Sequence, residues 1–289
     1  MQYQQYTQQS LDRDYNNRQT VKNFEQILAS WQDTSKRARQ FYIHFDDIKY
    51  GLSNRESIDI FPAKHANQPA ILFIHGGYWQ SMDKKFFHFL APMWVDRGVN
   101  FIFINYPLAP HASITEITNS IQRALHWIYQ HAADYQINRD QLYLVGHSAG
   151  AHLASYLLTV DWQQLSPKIP NNLIKGIAAL SGIYNLGPIQ NCFVNRVLKL
   201  TDVEVSQFSP IRLVPMVQPS LLLAVGEQEA IGFHDQQQAF GESWQRYLPY
   251  LKQIQVKGVN HYTMLDQLGE AGSPLFSKVS QQFGLFSTG

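Results

Sequence analysis

The stretch 142–150, Leu-Tyr-Leu-Val-Gly-His-Ser-Ala-Gly, constrains this chain more than any other. Four β-favouring residues, Leu142 to Val145, end at Gly146, and a small-residue helical pattern (Ala149, Gly150, Ala151, Leu153, Ala154, Leu157, Leu158) starts directly after Ser148. Strand, G-x-S-x-G and helix in succession is the arrangement of a nucleophile elbow. A turn this sharp leaves no room for side chains two positions before and after the serine, and Gly146 and Gly150 stand there. Ser148 is therefore expected in a strained conformation, its hydroxyl at the C-terminal edge of a sheet. The helix N-terminus beneath it aims backbone N–H groups at developing negative charge. The motif alone also recurs by chance in ordinary strand-to-helix turns. Its strand–helix context favours the elbow, and the rest of the chain must then supply a base, an acid and an oxyanion hole.

The surrounding pattern is that of an α/β protein. Residues 70–74, 99–104, 142–145, 173–180 and 219–225 are short apolar runs of the kind buried on both faces of a sheet, and Leu251–Val256 reads as the last strand. Residues 41–45 and 57–61 alternate like two further strands around a turn-rich connection. Helices are expected over 20–39, 84–97, 114–131, 233–248 and 275–283, from apolar residues at helical spacing. About eight strands alternating with helices imply a mostly parallel sheet in one domain spanning 1–289. Residues 1–18, rich in Gln, Asn and Tyr, are expected as an irregular surface arm ahead of the first helix. Residues 184–217, with Pro188, Pro210 and Pro215, are expected as a short cap-like insertion.

Composition narrows the function. A chain of 289 residues with 45% hydrophobic and 16% charged residues can bury a sizeable core, and its net charge of +1 gives no footing for nucleic acid or an anionic membrane. One cysteine, Cys192, excludes an internal disulfide framework and reads as a small buried hydrophobe. The first ten residues lack the apolar core of a signal peptide, and no apolar run is long enough to cross a bilayer. The expectation is a cytoplasmic protein acting on a small molecule, with a homodimer compatible with it. There is no H-E-x-x-H, no cysteine cluster, no G-x-G-x-x-G and no P-loop lysine, so neither a metal nor another cofactor is expected. His147/His152 and His126/His131 are five apart, off a common helix face.

A serine hydroxyl is a poor nucleophile at neutral pH and needs a general base. In chains built around such an elbow the order is serine, then acid, then histidine, the last on a loop after the final strand. Of the 11 histidines only His261 lies there, so it is the expected base. His152, four residues after Ser148, is expected to pack beneath the elbow. His44, His65, His88, His111 and His131 read as surface or strand-end residues, and His126 and His234 as helical ones. The acid should follow the penultimate strand, where Gly226-Glu-Gln-Glu229 places Glu229 on the loop; there a carboxylate accepts the Nδ1–H of the base. Glu227 is the competitor, nearer the strand end, and Asp235 and Asp202 fit less well. Backbone donors for an oxyanion should come from the loop after an earlier strand, His75-Gly76-Gly77, together with Ala149. Gly77 and Ala149 are the principal pair, with Gly76 or Tyr78 as a further donor and His75 as a brace. Tyr78, Trp79 and Tyr184 are the candidates for an aromatic substrate wall, against the plainer alternative that they are core packing.

His75-Gly-Gly-Tyr-Trp79 and Gly146-His-Ser-Ala-Gly-Ala-His-Leu153 resemble the H-G-G-x-W and elbow motifs of a branch of the α/β-hydrolases, the arylformamidases (kynurenine formamidases) and their esterase relatives. Leu180-Ser-Gly-Ile-Tyr184, Gly226-Glu-Gln-Glu229, Asn260-His-Tyr262, Leu11-Asp-Arg-Asp-Tyr15 and Tyr50-Gly51 are similar as well, in collinear order over most of the chain. The resemblance implies an α/β-hydrolase fold and hydrolysis of N-formylkynurenine, or of a related aryl formamide or small ester, without a cofactor. Two departures stand out: Glu229 where these enzymes commonly have Asp, and a cap segment with little match. The alternatives are a short-chain carboxylesterase and, in another class, a catalytically silent α/β-hydrolase that binds a ligand or partner.

Overall fold

The apolar runs pair into a single sheet of eight strands in the order β1-β2-β4-β3-β5-β6-β7-β8. The computed structural model describes residues 7–286. The strands are β1 (Phe45–Lys49), β2 (Ser57–Phe61), β3 (Gln68–Ile74), β4 (Asn100–Ile104), β5 (Ile137–His147), β6 (Ile174–Leu180), β7 (Ser220–Gly226) and β8 (Leu251–Val256). β2 runs antiparallel to both β1 and β4, and every other neighbouring pair is parallel. Parallel strands need crossovers, and helices packed on both faces bury the sheet twice over. The period of two shows in β3: Ala70, Leu72 and Ile74 join one core cluster, while Ile71 and Phe73 join the other. The mostly parallel sheet of about eight strands anticipated from the strand–helix alternation is the one observed.

Three expectations change. The helix expected over 20–39 runs Phe24–Phe41, so residues 41–45 are not a strand and β1 begins only at Phe45. The single helix expected over 84–97 is broken into turns at Lys84–Phe86 and His88–Leu90 and a short helix Ala91–Val95. Pro92 accounts for the break, because its ring would meet the carbonyl of residue 88 in a continuous helix and it has no N–H to donate.

The N-terminal segment is not an irregular surface arm over its described part. Residues 1–6 lie outside the described residues; from residue 7 a helix Gln8–Asp14, capped by Thr7, and a turn Asn17–Thr20 bury Leu11, Tyr15 and Asn17. Its low apolar content concealed this, since only Leu11 and Tyr15 do the apolar packing. The segment 184–217 forms short helices Gly187–Gln190, Asn195–Leu198 and Asp202–Phe208. Asp12 Oδ1 accepts from the Phe193 N–H at 2.6 Å, and the Gln8 amide donates to Asn191 O at 2.9 Å, tying the two segments together. No helix among the described residues is long and apolar enough to cross a membrane.

Candidate active site

Ser148 sits between β5 and the helix Ala149–Tyr156 with φ 56° and ψ −118°, the strained backbone the elbow demands. A Cβ on Gly150 would collide with the Ile74 carbonyl, and one on Gly146 with the Gly150 backbone, so the crowding inferred from the spacing is real. Its amide donates to Leu180 O at 2.8 Å, pinning the turn to the end of β6.

Across from it, His261 Nδ1 lies 2.7 Å from Glu229 Oε2. A carboxylate only accepts, so Nδ1 carries the hydrogen and Nε2 keeps its lone pair, as a general base must. Glu229 is sealed, its side chain 0% exposed. Its other oxygen accepts from Ser181 Oγ and from the Gly226 N–H, each at 2.6 Å. Three donors on one buried carboxylate fix it in a single rotamer. Glu227 is exposed and accepts instead from the Gly258 N–H at 2.9 Å, bracing the loop after β8. Asp235 is exposed on the helix Ile231–Trp244. Of the carboxylates weighed from the sequence, Glu229 is the one brought to His261.

The loop after β3 carries three successive positive φ angles, Gly77 at 107°, Tyr78 at 51° and Trp79 at 56°. A Cβ on Gly77 would run into the backbone of Ser81. Among the described residues the N–H groups of Gly77, Tyr78 and Ala149 donate to no protein acceptor. Gly76 packs against Ser148, where a Cβ would come within 2.9 Å of the serine Cβ. His75, pushed down to about 4 by burial, has Nδ1 2.7 Å from Gly76 O and braces the loop. Unpaired N–H groups beside a strained nucleophile can take up the charge of an oxyanion.

A cavity of about 290 Å³ joins these parts, lined by Ser148, His261, Gly76, Gly77 and Tyr78 among others. The structure shows the His–Glu half of a triad as a hydrogen bond and the Ser–His half as two side chains on one cavity wall. Such contacts commonly tighten only around a substrate.

The aromatic wall is the main correction. Trp79 is fully buried, edge-on to His152 with ring centroids 4.9 Å apart, and it does not line the cavity. Tyr184 is likewise buried, stacked on Phe240 at 4.1 Å. Both belong to the core, because the turn after each strand directs them back under the sheet edge. Tyr78 does line the cavity, its hydroxyl donating to Tyr15 O at 2.6 Å. Tyr15, Phe24, Trp31, Phe87, Phe193 and Tyr262 supply the remaining Phe, Tyr and Trp lining. Of these, Trp31 and Phe24 come from the helix Phe24–Phe41, far from any motif.

His152 packs as expected beneath the elbow, its Nε2 2.6 Å from Phe208 O and its pKa pushed down to about 4 by burial. His88, read from sequence as a surface or strand-end residue, is instead fully buried against Asp59. Two supporting residues went unrecognised. His147 lies 2.8 Å through Nε2 from the backbone carbonyl of His261, with the two rings 4.7 Å apart, and burial drives its pKa well below the usual range. Ser181, with φ 51° at the end of β6, holds Glu229. Both lie inside stretches that carry the family resemblance, 146–153 and 180–184, but nothing in those stretches says what either side chain contacts. Among the described residues, no group of three or more His, Cys, Asp or Glu is placed to hold a metal ion.

Fold and site together define an α/β-hydrolase with a serine at its elbow. The chain belongs to the BD-FAE family, whose model matches residues 58–243. It is 30% identical over 250 residues to the kynurenine formamidase of Danio rerio, covering 83% of this chain and 82% of that one. Among solved structures, a candidate thioesterase from Silicibacter sp. tm1040 superposes with a TM-score of 0.82 at 24% identity, over 92% of this chain and 97% of the other. Esterase B from Lactobacillus rhamnosis gives a TM-score of 0.71 at 17% identity, over 92% and 97%, a likeness of fold alone. The protein is a serine hydrolase of amide or ester bonds.

Proposed function

We propose that this enzyme cleaves a small aryl formamide, of which N-formylkynurenine is the leading candidate, through a formyl-enzyme intermediate. Ser148 Oγ attacks the formyl carbon while its proton passes to His261 Nε2. Glu229 stabilises the imidazolium through Nδ1, and the N–H groups of Gly77 and Ala149 hold the oxyanion. The C–N bond then breaks, Nε2 returns the proton to the departing amine, and the arylamine leaves. Water, deprotonated by His261, attacks the formyl-serine; formate departs and Ser148 regains its proton.

The observation that carries this reading is the size and lining of the cavity. At about 290 Å³ it lies at the small end of ligand sites. It offers aromatic rings for one flat leaving group and little length for an acyl chain. The identity to a kynurenine formamidase over most of both chains supports the same choice. The test compares kcat/KM across formyl, acetyl and butyryl derivatives of one aromatic leaving group, and on N-formylkynurenine against p-nitrophenyl acetate. A steep fall from formyl to butyryl is expected. A flat or rising series with negligible N-formylkynurenine hydrolysis would establish the short-chain carboxylesterase instead.

A further inference from the structure

The cavity is roofed by the N-terminal segment, through Tyr15, Asn16, Asn17 and Arg18. That segment is fixed from three sides. Tyr15 O accepts from the Tyr78 hydroxyl at 2.6 Å, the Tyr15 hydroxyl accepts from Gln236 Nε2 at 3.1 Å, and Asp12 holds the Phe193 amide. What it presents to the cavity is polar. Asn17 is 4% exposed, lines the cavity, and its amide nitrogen is sealed from solvent with no hydrogen-bond partner among the described residues. A buried amide left unpaired loses its hydration without compensation, so such a group commonly marks a place where a ligand completes the hydrogen bonding. The next residue, Arg18, lays its guanidinium over the Phe24 ring at 4.9 Å. No carboxylate among the described residues pairs with it, and it is the only Asp, Glu, Lys or Arg in the cavity lining. One cation and one unpaired amide, with no acidic side chain on the wall, are complementary to an anionic group rather than to a cationic or neutral one.

We infer that the N-terminal segment forms the leaving-group subsite of this hydrolase, with Asn17 and Arg18 taking a carboxylate carried by the substrate's leaving group. The inference rests on the hydrolase reading and adds the charge class of the substrate. Arg18 and Asn17 are binding residues in it, acting before and through the bond-breaking step without touching the reacting carbonyl. Interactions of this kind with a remote part of a substrate act chiefly on KM.

The experiment uses N-formylkynurenine and its methyl ester, which differ at the carboxyl group, with the full chain. Binding of each to Ser148→Ala protein is measured by calorimetry, alone and combined with Arg18→Gln or Asn17→Leu. The acid should bind about 10-fold more tightly than the ester, and Arg18→Gln should remove most of that preference, as loss of a charge-assisted pair does. Asn17→Leu should reduce the preference by a smaller factor without lowering the thermal midpoint, since it replaces an unpaired buried amide with an apolar side chain of similar size. Arg37→Gln, an exposed arginine on the helix Phe24–Phe41, serves as the control for general electrostatics. Equal binding of acid and ester by Ser148→Ala, an undiminished preference in Arg18→Gln, or an equal loss in Arg37→Gln would each overturn the subsite. Labelling of the unmutated protein at Ser148 by a fluorophosphonate reports on the hydrolase reading separately. Absent labelling with an intact acid preference would sink the mechanism and leave the subsite standing.

Discussion

Of the four histidine–carboxylate pairs among the described residues, two are buried, His261–Glu229 and His88–Asp59, and they differ in what the second ring nitrogen meets. In His261–Glu229 the carboxylate takes Nδ1 at 2.7 Å, and Nε2 has no protein partner among the described residues. In His88–Asp59 both ring nitrogens are engaged. Arg39 donates to Nδ1 at 3.0 Å, and Nε2 lies 2.9 Å from Asp59 Oδ2, in contact but out of line for a hydrogen bond. An arginine cannot accept, so the His88 hydrogen must sit on Nε2, facing Asp59. Asp59 also receives Lys84 Nζ at 3.1 Å, and Asp59, His88 and Lys84 are all but inaccessible. The first pair borders a cavity with a strained serine; the second is closed off against β2. A histidine beside a carboxylate is thus no sign of catalysis by itself. It becomes one where the fold leaves a basic nitrogen open to a nucleophile.

The widest separation between the two pairs should appear in turnover. Ser148→Ala and His261→Ala should each lower kcat by about three or more orders of magnitude with the fold retained, as triad deletions do elsewhere. His88→Gln should retain most of the activity per folded molecule. A correctly folded Ser148→Ala protein with wild-type kcat would erase the distinction. Next comes the carboxylate: Glu229→Gln should lower kcat by about 10²–10⁴-fold, because the imidazolium loses its counter-charge. Glu227→Gln, on an exposed loop bond to Gly258, should cost far less. If Glu227→Gln were the more damaging, the hydrogen bond seen to Glu229 would not be the functional one.

Stability should reverse the ranking. Asp59→Ala leaves Lys84, 1% exposed, paired only with the partly exposed Asp47. Breaking a buried ion pair from one side costs about 3–5 kcal/mol. Urea unfolding should therefore show a much lower midpoint for Asp59→Ala than for Ser148→Ala; equal midpoints would show the cluster to be structurally idle.

The smallest effect separates sealed rings from the open one by pH. Burial lowers His152 to about 4 and holds His147 well below and His88 below the ordinary value. With folded values under the unfolded value of about 6.5, the unfolded chain binds more protons between these limits, so stability rises with pH there and is lost as pH falls from about 6.5 toward 4. Each such ring contributes a slope of up to about 1.4 kcal/mol per pH unit, and His152→Gln should flatten the profile by up to one proton. Urea midpoints at pH 7.5, 6 and 5 read it directly, and a profile unchanged by His152→Gln would mean that this ring is not held neutral.

The sequence by itself determined the sheet and the elbow, and singled out Glu229 and His261, which the structure brings together. Near-continuous apolar runs fix strands wherever both faces are buried, and the expected order serine, Glu229, His261 follows from the order of strand ends. Gly146 and Gly150 were legible because crowding at the turn admits no side chain. Tertiary structure alone decided the rest. Ser181 and His147 reach Glu229 and His261 through space, and the motifs they stand in do not encode those contacts. Trp79 turned into the core although it follows the oxyanion glycines, since consecutive positive φ angles redirect side chains in ways that spacing does not encode. His88 was hidden because Pro92 broke its helix and β2 covered it. The N-terminal segment, polar in composition, became the roof of the site. A few residues anchor it by long-range hydrogen bonds to Tyr78, Gln236 and Phe193, and such bonds leave no periodic trace in a sequence.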